Sequence, residues 1–118
     1  MNTLKKIINS FRHSFIGFIW SFKKELNIKI AIFLLCLTII LNIIFNVGYY
    51  CWMITILSII LVLCLELMNT AIEKFIDFFI KEYHYDIKII KDMSASAVLI
   101  ALVAYIIISF ITYYNYIF

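Results

Sequence analysis

Glu66, Asn69, Glu73 and Asp77 recur at helical spacing in a mostly apolar run from Cys64 onward, which also holds Thr70 and Lys74. Their spacings of three, four and four residues place them at roughly 0°, 300°, 340° and 20° around a helix, on one narrow stripe about 16 Å long. Leu67, Met68, Ile72, Phe75 and Ile76 fill the positions between them. Ionisable groups that enter a membrane span are costly, and by default they mark a functional site. Two carboxylates on one face, Glu66 and Glu73, repel unless a cation or a proton sits between them. The stripe therefore suits a divalent metal site or a proton-coupled carboxylate. Plainer readings stand beside these. Asp77 would serve as an interfacial residue paired with Lys74 or Lys81 on adjacent turns, and Asn69 as an interhelical hydrogen-bond contact.

Three other places carry chemistry-bearing side chains. Glu25, two residues before Asn27, falls at the interfacial depth of Glu73. A pair of carboxylates completed by water and phosphate oxygens is the usual setting for Mg2+. Lys91-Asp92-Met93-Ser94-Ala95-Ser96-Ala97 combines a cation and an acid with small residues. It would hold a phosphate and its metal, or simply form a charged border that packs closely. Glu82-Tyr83-His84-Tyr85 lies in the connection between, where an isolated histidine reads as a surface residue. The glycine-rich phosphate motifs of soluble enzymes are absent, Gly17 and Gly48 being the only glycines. Cys36, Cys51 and Cys64 read as small buried hydrophobes. Nothing points to nucleic acid, and no Cys or His spacing suits a metal.

The elements that must position these residues follow from composition. Of 118 residues, 66% are hydrophobic and 14% charged, against about 45–50% and 25% in a typical soluble domain. A soluble globule of this length could not bury that much apolar surface. Disorder and a disulfide scaffold are excluded as well. The expectation is a single all-α membrane domain over residues 1–118. Three transmembrane helices are expected at about 28–47, 49–79 and 93–118, the middle one carrying the polar stripe. Residues 3–24 repeat apolar side chains at three- and four-residue intervals, with Lys5, Lys6, Arg12 and Lys23 mostly between them. They read as an amphipathic helix lying in the interface. No cleavable signal peptide is evident. All ten basic residues fall before or at the start of the first span, or between the end of the second apolar stretch at Leu65 and the third span. The positive-inside rule then puts the N-terminus and the 74–92 segment in the cytoplasm, with all seven acids on the same side.

Glu66-Leu-Met-Asn69-Thr-Ala-Ile-Glu73, then Asp77, then Lys91-Asp92-Met93 and Ala97-Val98-Leu99, resembles the prokaryotic diacylglycerol kinase family, whose Gram-positive members act as undecaprenol kinases. Glu82-Tyr83-His84, Ser10-Phe-Arg, Gly17 and Glu25-x-Asn27 extend the likeness from about Ser10 to the end. The resemblance implies an interfacial helix plus three spans per chain, assembled as a homotrimer with shared active sites in the bacterial plasma membrane. It implies Glu66 as general base toward a lipid hydroxyl, with Asn69 orienting it and the reacting groups. Glu25 and Glu73 would hold the Mg2+ of ATP. Lys91 and Asp92 would contact the phosphates and their metal, while Glu82, Tyr83 and His84 line the adenosine side. Lys6 stands where some relatives carry an arginine near the nucleotide. Ser94 and Ser96 replace residues that are often Gly or Ala, and Ala31 stands where some Gram-positive members have His.

Phosphoryl transfer is mostly positioning and charge neutralisation, requiring a metal clamp, a cation and a base near the acceptor. An acceptor hydroxyl anchored in a bilayer sits at the depth of Glu66 and Glu73. The expected function is ATP- and Mg2+-dependent phosphorylation of a membrane lipid alcohol. Undecaprenol comes first, through the Glu25-x-Asn27 segment, with diacylglycerol as runner-up. A proton-coupled transporter using Glu66 or Glu73 is a reading of a different class, but it leaves Lys91 and Asp92 without a role. A holin-like oligomer is a third, which would not need the acid stripe.

Overall fold

The computed structural model describes residues 2–118. With no proline and two glycines in the chain, little stops helix propagation. Four helices result: α1 (Asn2–Lys24), α2 (Leu26–Ile44), α3 (Tyr49–Phe79) and α4 (Tyr85–Ile117). α2, α3 and α4 are each long and apolar enough to cross a membrane. They pack in sequence, α2 on α3 and α3 on α4.

Helix ends differ most from expectation in two places. α2 stops at Ile44 rather than 47, because Asn46 takes a left-handed φ of 50°, which asparagine tolerates better than most residues. Gly48 then opens α3, and its N–H donates to the Tyr116 hydroxyl at 2.7 Å. α4 begins at Tyr85, eight residues before the expected span, so Lys88, Lys91 and Asp92 lie on a helix. Lys88 Nζ and Asp92 Oδ2, one turn apart, meet at 2.7 Å, the spacing that supports a helix carrying charges. α3 covers the same residues as the continuous helix expected from the polar stripe.

α1 is separated from α2 by the single extended residue Glu25, at φ −111° and ψ 121°. No residue of α1 is buried. Leu4, Phe11, Phe15 and Trp20 are exposed along it.

The apolar core is small: Ile59 and Val62 of α3 with Ala101 and Tyr105 of α4, joined by Leu34, Leu35, Leu65 and Leu102. Polar side chains bind the half of the bundle remote from the charges. Thr38, Asn42 and Thr55 are fully buried. Asn42 Nδ2 donates to Thr55 Oγ1 at 3.0 Å, and the Tyr113 hydroxyl donates to Asn42 Oδ1 at 2.7 Å. Thr38 Oγ1 and the Tyr105 hydroxyl share a 2.7 Å bond. These bonds tie α2 to α3 and α4, as polar groups do between helices in lipid. Cys36 and Cys64 are exposed and Cys51 half-buried, contrary to the buried positions expected. Against hydrocarbon chains a small apolar thiol gains nothing from facing inward.

Candidate active site

The polar stripe of α3 grades from inside to outside. Glu66 and Asn69 are each 7% exposed, Glu73 is half-buried and Asp77 is exposed. Helical spacing set the alignment, and packing by α2 and α4 set the burial. One carboxylate oxygen of Glu66 and the side-chain oxygen of Asn69 are buried without a hydrogen-bond partner. Buried polar atoms are nearly always partnered, so an orphaned pair one turn apart on one helix calls for a ligand or a function. Glu66 lines a cavity of about 270 Å3 whose other walls are Asn27, Ile30, Ala31, Leu34, Val62, Val98 and Leu102. The cavity is thus apolar except for one carboxylate and one amide. It would admit a hydroxyl on a hydrocarbon body.

A second cavity, of about 320 Å3, lies where α3 gives way to α4. Asp77, Lys81, Glu82, Tyr83, His84, Lys88 and Lys91 line it, with Ile80 and Ile87. Four residues expected around a nucleotide, Glu82, Tyr83, His84 and Lys91, therefore come together here. His84 Nε2 lies 4.0 Å from Glu82 Oε2. Lys91 Nζ pairs with Asp77 Oδ1 across the two helices. The plainer reading of Asp77 pairs it with Lys74 or Lys81 on adjacent turns. It turns to α4 instead because the early start of α4 brings Lys91 alongside, while Lys74 is drawn elsewhere. Asp92 is held by Lys88 and does not line this cavity.

Lys74 Nζ lies 2.9 Å from Glu25 Oε1 and 5.2 Å from the centroid of the Trp20 ring. Sequence reasoning singled out Glu25 but missed this cation as its partner. Among the described residues no three His, Cys, Asp or Glu side chains cluster to hold a metal. The donor set nonetheless suits Mg2+, which needs only one or two carboxylates when phosphate and water complete its shell. Glu25 already engages a cation, and Glu73 adjoins Lys74 on α3. Lys6 is set apart from all of these. It sits about 27 Å along the α1 axis from Lys24, so within one chain it is remote from Glu25.

Apart from Lys6, the charged side chains of the site thus gather at one end of the bundle, where α1 meets α2 and α3 meets α4. The family described as prokaryotic diacylglycerol kinase matches residues 12–113, nearly the whole chain and every site residue above except Lys6. The chain belongs to the prokaryotic diacylglycerol kinase family. A diacylglycerol kinase of Synechocystis sp. is 32% identical over 103 residues, covering 86% of this chain. The chain spans 59% of the length of that relative. Family membership together with three apolar helices makes the chain a membrane protein.

Proposed function

We propose that this chain is an ATP-dependent lipid kinase that phosphorylates a membrane alcohol at the charged end of its bundle. The observation that carries the reading is Glu66, a buried carboxylate with an unpartnered oxygen, on the wall of an otherwise apolar cavity. In this reading Glu66 takes the proton of the lipid hydroxyl. The hydroxyl oxygen then bonds to the γ-phosphorus of ATP, the bond from that phosphorus to the bridging oxygen breaks, and ADP leaves. Asn69, one turn from Glu66, holds the reacting hydroxyl in place. Glu82, Tyr83 and His84 cradle the adenosine, and Lys91 turns from Asp77 to the phosphates, with Asp92 close by on α4. Glu25 and Glu73 would hold Mg2+, which supplies charge neutralisation to the transferring phosphoryl group.

Undecaprenol is the preferred acceptor. Asn27, from the Glu25-x-Asn27 segment, shares the Glu66 cavity, and the remaining walls suit a prenyl chain. Diacylglycerol is favoured by a different observation, the name of the Synechocystis relative. The charged end faces the cytoplasm, following the positive-inside rule, and α1 lies on that membrane surface with its apolar face in the lipid. The working form is a homotrimer in the bacterial plasma membrane whose sites are shared between protomers.

One assay tests the reading. Purified protein is supplied with ATP, Mg2+ and either undecaprenol or diacylglycerol in mixed micelles, and lipid phosphate is measured. Phosphate on one lipid supports the kinase and selects its acceptor. Folded protein that phosphorylates neither lipid defeats the proposal.

A further inference from the structure

Lys74 is a residue to which neither the polar stripe nor the family resemblance gave a role in the reaction. From α3 it reaches two parts of the chain at once. Its Nζ accompanies Glu25, the single extended residue between α1 and α2, and it also lies over the ring of Trp20 in α1. Among the described residues no other cation lies within ion-pair distance of Glu25. The Lys74 side chain is half exposed and that of Glu25 is 28% exposed, so water is present to take over either partner.

We propose that Lys74 is a positioning residue that stands in for the divalent cation at Glu25, and that exchange of Lys74 for the metal frees Trp20. The inference rests on one part of the kinase reading, that Glu25 is a metal carboxylate. Two cations bound to one carboxylate repel each other, so metal arrival displaces Nζ from Glu25. Lysine suits such an exchange because its charge is compact and its four-carbon stem is flexible, whereas an arginine fork would grip the carboxylate in two places. Until the metal comes, the pairing orients Glu25 and docks the α1–α2 junction on α3. The same movement takes a cation off the Trp20 face, which gives it an optical signature.

The test uses the full chain in detergent micelles with Trp52, the only other tryptophan, replaced by Phe. Trp20 emission is followed while Mg2+ is added with a non-hydrolysable ATP analogue, and lipid phosphorylation is measured in parallel with ATP. Emission should change saturably with Mg2+, and the change should vanish in Lys74→Met. Half-saturating Mg2+ for lipid phosphorylation should fall by about two- to fivefold in Lys74→Met, the range of a partly exposed ion pair. Lys74→Arg should move it the opposite way, a split that a merely structural lysine would not produce. Circular dichroism checks that each variant keeps its helices, and the arginine variant decides the matter if the methionine variant does not fold. Trp20 emission that ignores Mg2+ while lipid is still phosphorylated overturns the exchange and leaves the kinase standing. A saturable emission change without phosphorylation of either lipid upholds the exchange and overturns the kinase reading.

Discussion

Glu66→Gln should make the protein more stable and almost inactive. The amide matches the carboxylate in shape, so the walls formed by Val62, Val98 and Leu102 need not move. What changes is charge at a position 7% exposed, with one oxygen lacking any partner. An unmade hydrogen bond at a buried group costs about 1–3 kcal/mol, and more for a charged one. The neutral amide relieves the charged part of that cost, so stability should rise by about 1 kcal/mol. Chemistry loses the proton acceptor, and positioned bases contribute about 10²–10⁴-fold, or roughly 3–5 kcal/mol of barrier. Nucleotide affinity should stay within about twofold, because binding shared by ground and transition states is untouched. Unfolding in mixed micelles of rising SDS content gives the stability, and lipid phosphate formation gives the turnover. A variant that is less stable than the parent, or that keeps more than about a tenth of the rate, would refute the assignment of Glu66 as a base held at a cost to the fold.

Other consequences are open to measurement. Asn42→Ala removes two interhelical bonds, one buried and one partly buried, and should lower stability by about 1–3 kcal/mol in the same SDS titration, with turnover per folded molecule unchanged. Glu73→Gln should raise half-saturating Mg2+ by about tenfold or more, the worth of one charge-assisted contact; an unchanged Mg2+ dependence removes Glu73 from the metal. Lys91→Gln breaks the pair with Asp77 and should raise the KM for ATP more than that for lipid, whereas equal effects on both would point to a structural role. Chelating divalent cations should abolish lipid phosphorylation while leaving helical circular dichroism intact.

How much of this was legible in the sequence varies by residue. Glu66, Asn69, Glu73 and Asp77 share a face because helical spacing is a local property, and α3 carries them as one unbroken helix. Burial was not local: only the packing of α2 and α4 separates Glu66, inside, from Asp77, outside. The approach of Lys74 to Glu25 and of Lys91 to Asp77 joins elements distant in sequence, and no spacing rule encodes it. The Thr38, Asn42, Tyr105 and Tyr113 contacts were hidden for a further reason. Single polar residues in apolar runs do little to hydropathy, yet in hydrocarbon each must find a partner. The early start of α4 is not legible in hydropathy because its first turns are charged, and charge marks the border of a span and the surface of a helix outside it equally well.

The two ends of the bundle are held by forces that answer to different conditions. At the far end, hydrogen bonds among Thr38, Asn42, Thr55, Tyr105 and Tyr113 are shielded from solvent ions. At the end that carries the candidate site, two partly exposed ion pairs reach from α3 to other elements, Lys74 to Glu25 and Asp77 to Lys91. Raising salt from about 0.1 M to 1 M shortens the screening length from roughly 10 Å to 3 Å. Ionic strength should thus slacken the grip of α3 on α1 and α4 where they meet water, while the distal half stays clamped. The same chain is an anchor in the hydrocarbon and an adjustable mouth at the surface, with the ions of the surrounding water setting how firmly that mouth is closed.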